Sequence, residues 1–280
     1  MSATPLDAFA EVFSRDDSRI DLARACLMVA QDAYPDLDIE RYLGEIERMG
    51  LRLRGRVPQG GGVEERVVAL NDFLFGELGY RGNAEAYYDP RNSYLNEVID
   101  RRTGIPITLS VLYMEIGRRA GLPLQGVSFP GHFLVRTRVR GGALVLDPFQ
   151  NGAPQSMDEL RERLRRVVPE GAAGDPPLEQ FLEPATNRQI VARVLRNLKA
   201  IYRQQDRPGE LLAVLNRILV VAPDATGELR DRGYAYQKLD CYRAALKDLS
   251  DYAEREPQAP DADEVRVRMM ELQRLCARLN

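Results

Sequence analysis

The chain has 280 residues, 44% of them hydrophobic and 29% charged, enough for two domains that each bury a core. Its formal net charge of -3 gives no electrostatic footprint for nucleic acid or an anionic membrane surface. A single histidine, His132, excludes a multi-histidine metal centre, and three scattered cysteines, Cys26, Cys241 and Cys276, fit reduced thiols in a cytoplasmic protein.

Residues 1–7 have no basic start followed by an apolar run and read as neither a signal peptide nor a transmembrane segment. The longest apolar run, 218–222, is far too short to span a bilayer. The first fifty residues read as helices. Asp17 and Ser18 are placed to cap a segment with Ile20, Ala23, Leu27 and Ala30 on one face, and a second amphipathic stretch after Asp38 repeats Tyr42, Ile46 and Met49. A glycine-rich loop over 54–62 precedes another helix face, Val63, Val67, Leu70 and Leu74, with Gly79 as a C′ residue. Turn chemistry at 88–93 leads to a short helix with Leu95, Val98 and Ile99. Pro106 then opens a helix carrying Leu109, Leu112, Ile116 and Ala120, which Gly121-Leu122-Pro123 stops.

Three β-like runs follow, 124–129, 132–138 and 143–146, the last two joined by the hairpin signal Gly141-Gly142. Helices followed by consecutive antiparallel strands make an α+β layout. Residues 158–167 read as a helix whose arginine-rich stretch 161–166 is a solvated face. The glycines and prolines of 169–177 mark a linker, and everything from Asn187 onward is helical. The expected organisation is a first domain over 1–168, a linker over 169–186 and an all-α domain over 187–280.

Sliding the last third of the sequence against itself by 34 residues aligns Tyr202 with Tyr236, Leu211 with Ala245, Leu215 with Leu249 and Pro223 with Pro257. That is the tetratricopeptide period. Gly233 and Ala245 let paired helices approach closely, and each proline closes a second helix. The first repeat departs from the pattern, with Lys199 at the glycine position and Pro208 in mid-hairpin. Two repeats fall short of the usual three, so the last helix, with Val265, Met269, Leu272 and Leu275, is expected to cap the open face.

The segments Gly104-Ile-Pro-Ile-Thr-Leu-Ser-Val-Leu-Tyr113, Gly121-Leu-Pro123, Pro130-Gly-His-Phe-Leu-Val-Arg136 and Leu146-Asp-Pro148 occur in that order. The combination resembles the SirB family of bacterial proteins, a transglutaminase-like core followed by tetratricopeptide repeats, most strongly over 92–149. The resemblance implies a papain-like core with a small antiparallel sheet, His132 as general base and Asp147 as its orienting partner. It also implies a cysteine at the start of a buried helix, where the helix dipole favours a thiolate. Here that position falls near Pro106 or Ile107, and neither is a nucleophile. Thr103, Thr108 and Ser110 are the nearest hydroxyls. Ser110, a turn inside the helix, is expected to bond a backbone carbonyl.

His132 and Asp147 therefore read as a vestigial pair. They form either a satisfied polar pair in an apolar core or a ligand site in the old cleft. The leading functional reading is a non-catalytic transglutaminase-like protein that acts in protein–protein interaction or regulation. Its protein or peptide partner would use the repeat groove or the transglutaminase-like cleft, with no nucleic acid, membrane, metal or cofactor involved. The alternative is an amide hydrolase or acyl transferase using Thr108 or Ser110 with His132 and Asp147. A hydrogen bond from Nδ1 of His132 to Asp147 beside an open cleft would mark a site; an imidazole sealed by Ile107 would mark a structural pair.

Overall fold

A computed structural model describes residues 4–58, 60–167 and 177–278. Within it the chain is mixed, mostly helical with small sheets, and it divides into two compact units. One is Asp16–Val194; the other joins Met1–Arg15 to Leu195–Asn280. The division falls inside a continuous helix rather than at the proline- and glycine-rich stretch. Most of that stretch, 168–176, lies outside the described residues. The described part of the expected linker is packed: Leu178 and Leu182 join the core of the first unit, and Pro184 bridges to Val127.

Helix α1 (Pro5–Phe13) opens the described chain with Thr4 and Asp7 in a capping box. In the first unit, Asp21 caps α2 (Leu22–Val29). Asp17 is not that cap: its carboxylate accepts from the backbone N–H groups of Asn187 at 2.9 Å and Arg188 at 2.8 Å. It serves the exposed donors at the start of a helix 170 residues away. Asp38 caps α3 (Ile39–Arg54) as its position suggests. Helix α4 (Val63–Asn71) passes into a π-helical turn, Asp72–Glu77, and Gly79 adopts φ +72°.

Two short strands, β1 (Arg81–Gly82) and β2 (Thr103–Gly104), pair in parallel around α5 (Leu95–Arg101). They feed α6 (Pro106–Arg119), which is buried from Pro106 to Gly117. Gly50 of α3 permits a close crossing with α6, since a Cβ there would stand 2.4 Å from Cβ of Arg119. Strands β3 (Gln125–Val127), β4 (Leu134–Val139), β5 (Gly142–Asp147) and β6 (Ala153–Pro154) form one antiparallel sheet in chain order. Gly141 and Gly142 make the β4–β5 turn at φ +96° and +153°. Helix α7 (Met157–Val167) lays Leu160 on the sheet beside Val127, Phe129, Leu134 and Val145.

Helix α8 (Asn187–Gln204) runs from the first unit into the second, which contains the two hairpins α8–α9 (Pro208–Val221) and α10 (Thr226–Lys238)–α11 (Tyr242–Arg255). Each hairpin turns through an aspartate with positive φ, Asp206 at 52° and Asp240 at 58°, 34 positions apart. Pro208 occupies the first turn of α9, where its missing N–H removes no helical bond. A Cβ on Gly233 would lie 2.8 Å from Leu249, so the small residue is required for the α10–α11 approach. Helix α12 (Ala262–Arg278) covers that pair with Val265 and Leu272, and Met269 packs alongside. Helix α1 also joins this unit, with the Arg217 guanidinium 4.7 Å from the Phe9 ring centroid.

Lys199, at the consensus glycine position, reaches between α8 and α10 to bond Glu228 and, at 2.5 Å, Asp231. Burial pushes the Asp231 carboxyl up, but hydrogen bonds from Lys199 and Arg230 outweigh it, and its pKa lies below the ordinary carboxylate value. A lowered folded-state pKa stabilises the fold above the unfolded value and loses that contribution as pH falls through the folded one. Asp231→Asn should therefore lower stability at pH 7 by about 1–3 kcal/mol. Denaturant melts from pH 7 to pH 2 should show the gap to wild type closing in acid; a constant gap would refute the assignment.

Candidate functional site

The β4–β5 hairpin is in register Val135↔Leu146, which carried three steps outward sets His132 opposite the segment after Asp147. Gly131, at φ +68°, turns the chain into the strand, and the His132 N–H bonds the Phe129 carbonyl at 3.1 Å. The result is direct. His132 Nε2 lies 2.9 Å from each carboxylate oxygen of Asp147, which is fully buried. The bond uses Nε2 rather than Nδ1. A carboxylate only accepts, so Nε2 is the donor in this bond. The histidine side chain is 14% exposed, neither sealed nor freely solvated.

Asp147 has more partners than a triad orienter requires. Arg163 of α7 approaches its Oδ2 at 3.3 Å through both terminal nitrogens, and the Phe149 N–H donates to Oδ1 at 3.1 Å. Arg163 departs from the solvated-face reading of 161–166, while Arg161, Arg165 and Arg166 do pair with Asp158 and Glu162 on the surface of α7. The turn after Asp147 is pinned from below: Tyr113 OH donates to Asn71 Oδ1 at 2.8 Å, and Asn71 Nδ2 donates to the Gly152 carbonyl at 3.1 Å. Neither Arg163 nor Asn71 had a sequence signal beyond lying on an amphipathic helix.

Phe149 connects this pair to the start of α6. Its ring stands edge-on to His132 at 6.1 Å and to Tyr87 at 6.4 Å, and it lies on Gly82 of β1, the partner of β2. Tyr87 meets Tyr88 at 5.3 Å, and Tyr88 is 63% exposed. An aromatic row thus runs from the imidazole to the surface.

At the head of α6, Pro106 and Ile107 are the first two helical residues, both buried. Thr108 donates to the Asn92 carbonyl at 2.7 Å and accepts the Ile105 N–H at 3.2 Å, so its hydroxyl serves as a helix cap. Ser110 is fully buried, and contrary to expectation its hydroxyl bonds no backbone carbonyl; it has no hydrogen-bond partner among the described residues. Thr103 turns its hydroxyl onto the Arg101 carbonyl at 3.1 Å. Cys26 is buried, and burial pushes its thiol well up; its charged neighbours are Glu115 and Asp21. Among the described residues no group of three His, Cys, Asp or Glu could hold a metal ion, and no helix is long and apolar enough to cross a membrane.

The second unit offers a groove of 260 Å³ between α8 and α10, with Tyr202, Leu211, Tyr234 and Ala235 on its apolar wall and Lys199 and Lys238 at its edge.

Comparison with known proteins agrees with this architecture. The transglutaminase-like superfamily model matches residues 40–196, and a tetratricopeptide repeat model matches 198–270. A UPF0162 protein of Xylella fastidiosa (strain Temecula1) is 44% identical over 92% of both chains. Protein SirB1 of Salmonella typhimurium is 28% identical, covering 84% of this chain and 86% of its own. UPF0162 protein YchA of Escherichia coli (strain K12) is 27% identical over 88% of each. The fold class is a transglutaminase-like core joined to tetratricopeptide repeats. Within that class, the chain belongs to the UPF0162 family, which includes SirB1.

Two substitutions probe the geometry. Gly82→Ala would put a Cβ 2.5 Å from the Phe149 ring, displacing it and costing about 1–3 kcal/mol in overpacking. Ser110→Ala removes a buried hydroxyl that has no partner and should raise stability by about 1 kcal/mol. Thermal melts of the two variants should move in opposite directions.

Proposed function

We propose that this is a non-catalytic transglutaminase-like protein that acts by binding another protein. The observation that carries the reading is the head of α6: Pro106 and Ile107 open the helix there, near where the resemblance implies a thiol. The nearby Thr108 hydroxyl is committed to two backbone groups, and Cys26 is buried among other residues. His132 and Asp147 form a charge-assisted pair that braces the hairpin end, with Arg163 as a third member.

What the residues around the pair offer instead of chemistry is surface. Tyr88 and Tyr87 continue the aromatic row from Phe149, and aromatic side chains bring large contact area with little loss of conformational freedom. Tetratricopeptide helices are themselves a common platform for protein recognition. In the test, tagged full-length wild type, Tyr88→Ala and Tyr234→Ala are used to capture partners from cells of the source organism. A specific partner is expected on wild type and depleted at least tenfold on Tyr88→Ala, while Tyr234→Ala reports on the repeat groove. Retention by both variants, or no specific partner in any growth condition, would sink the proposal.

One observation favours the alternative, a hydroxyl-dependent amide hydrolase or acyl transferase: the unpartnered Ser110 hydroxyl. Purified wild type should neither release ammonia from glutaminyl peptides nor incorporate amines into them. Turnover lost in both Ser110→Ala and His132→Ala, with both variants still folded, would establish the enzyme instead.

A further inference from the structure

Four arginines line a cleft of 430 Å³ at the far end of α6 from Pro106: Arg54 of α3, Arg66 of α4, and Arg118 and Arg119 of α6. Val57 and Pro58 supply an apolar wall, and none of the described residues lining the cleft is acidic. Helix C-termini attract cations, which accounts locally for Arg54, Arg118 and Arg119. It does not account for Arg66, four residues into α4, where the helix field favours an anion.

The charges do not balance within the cleft. Arg119 is held by Glu47 at 2.7 Å and Glu115 at 2.6 Å, and its stem lies against Gly50. Arg118 shares Glu115 at 2.9 Å. Arg66 donates to the Gly61 carbonyl at 3.2 Å, and neither Arg66 nor Arg54 is paired with a carboxylate among the described residues. Four guanidinium groups against two carboxylates leave two positive charges in excess. Arg119 is fixed by packing on one side and ion pairs on the other, so part of the site is preorganised before any ligand arrives.

We propose that this cleft binds a small phosphate monoester. A phosphoryl group carries a charge of roughly −1.5 to −2 at neutral pH, matching the excess. Its oxygens suit the planar donor forks of Arg54 and Arg66. The cleft volume of 430 Å³ falls in the range of about 300–1,000 Å³ typical of ligand sites, leaving room for an organic body against Val57 and Pro58. The site is distinct from the proposed partner surface at His132, and either can fail without the other.

Calorimetric titration of the full chain with phenyl phosphate and with inorganic phosphate, against chloride at matched ionic strength, tests it. Phenyl phosphate should bind saturably and more tightly than inorganic phosphate, with no comparable response to chloride. Arg54→Ala/Arg66→Ala should weaken it at least tenfold while leaving the ligand-free melting temperature close to wild type. Val57→Glu, which brings a carboxylate to the wall and keeps all four arginines, should do the same. Absence of saturable binding to wild type, equal affinity in the variants, or a response that chloride reproduces would overturn the site. Equal affinity for the two phosphates would overturn its assignment to an ester.

Discussion

The first unit is organised around one buried helix. α6 is out of solvent from Pro106 to Gly117, so its neighbours must satisfy or seal every polar group it carries. The Thr108 hydroxyl closes the first turn, Glu115 is buried under two arginines, and Tyr113 exports a hydrogen bond through Asn71 to the loop behind Asp147. The sheet, the β1–β2 pair and α3 are each placed by contact with this helix or with residues it anchors. Both the histidine–aspartate pair and the arginine cleft inherit their rigidity from it, one towards each end.

Asp147 shows how a carboxylate remains stable in a core. Full burial of a charge is unfavourable unless it is paired and hydrogen-bonded. Asp147 has His132, Arg163 and the Phe149 amide around it, a set that satisfies its lone pairs. The pair thus has a sufficient structural reason to persist, and the exposed aromatics beside it supply a separate reason for the surface to be used.

Legibility in the sequence followed the range of the interaction concerned. Short-range signals were readable: Asp38 before α3, Pro106 at the head of α6, Gly141-Gly142 in the hairpin, and the 34-residue register that returns in Gly233 and Ala245. Long-range choices were not. Asp17 has the spacing of a local cap and is used elsewhere, Arg163 sits in a charged run and reaches a buried carboxylate, and α1 shows nothing local that says it packs with α9. Ser110 inverts the usual rule for helical serines, and nothing in the surrounding residues explains why its oxygen is left alone. His132 and Asp147 were found through resemblance, and only the hairpin register brings them together physically.

The Asp17 cap bears on how the first unit is closed. The amides of Asn187 and Arg188 find this acceptor only when residues 17 and 187 meet, and closing a loop that long carries an entropic penalty that local caps avoid. The Gln189 N–H already has a local acceptor in the Thr186 hydroxyl at 3.1 Å, so Asp17 completes a cap that the neighbouring residues begin. An interaction that looks like a detail of helix chemistry thus ties the opening of the first unit to its last helix, across almost its whole length.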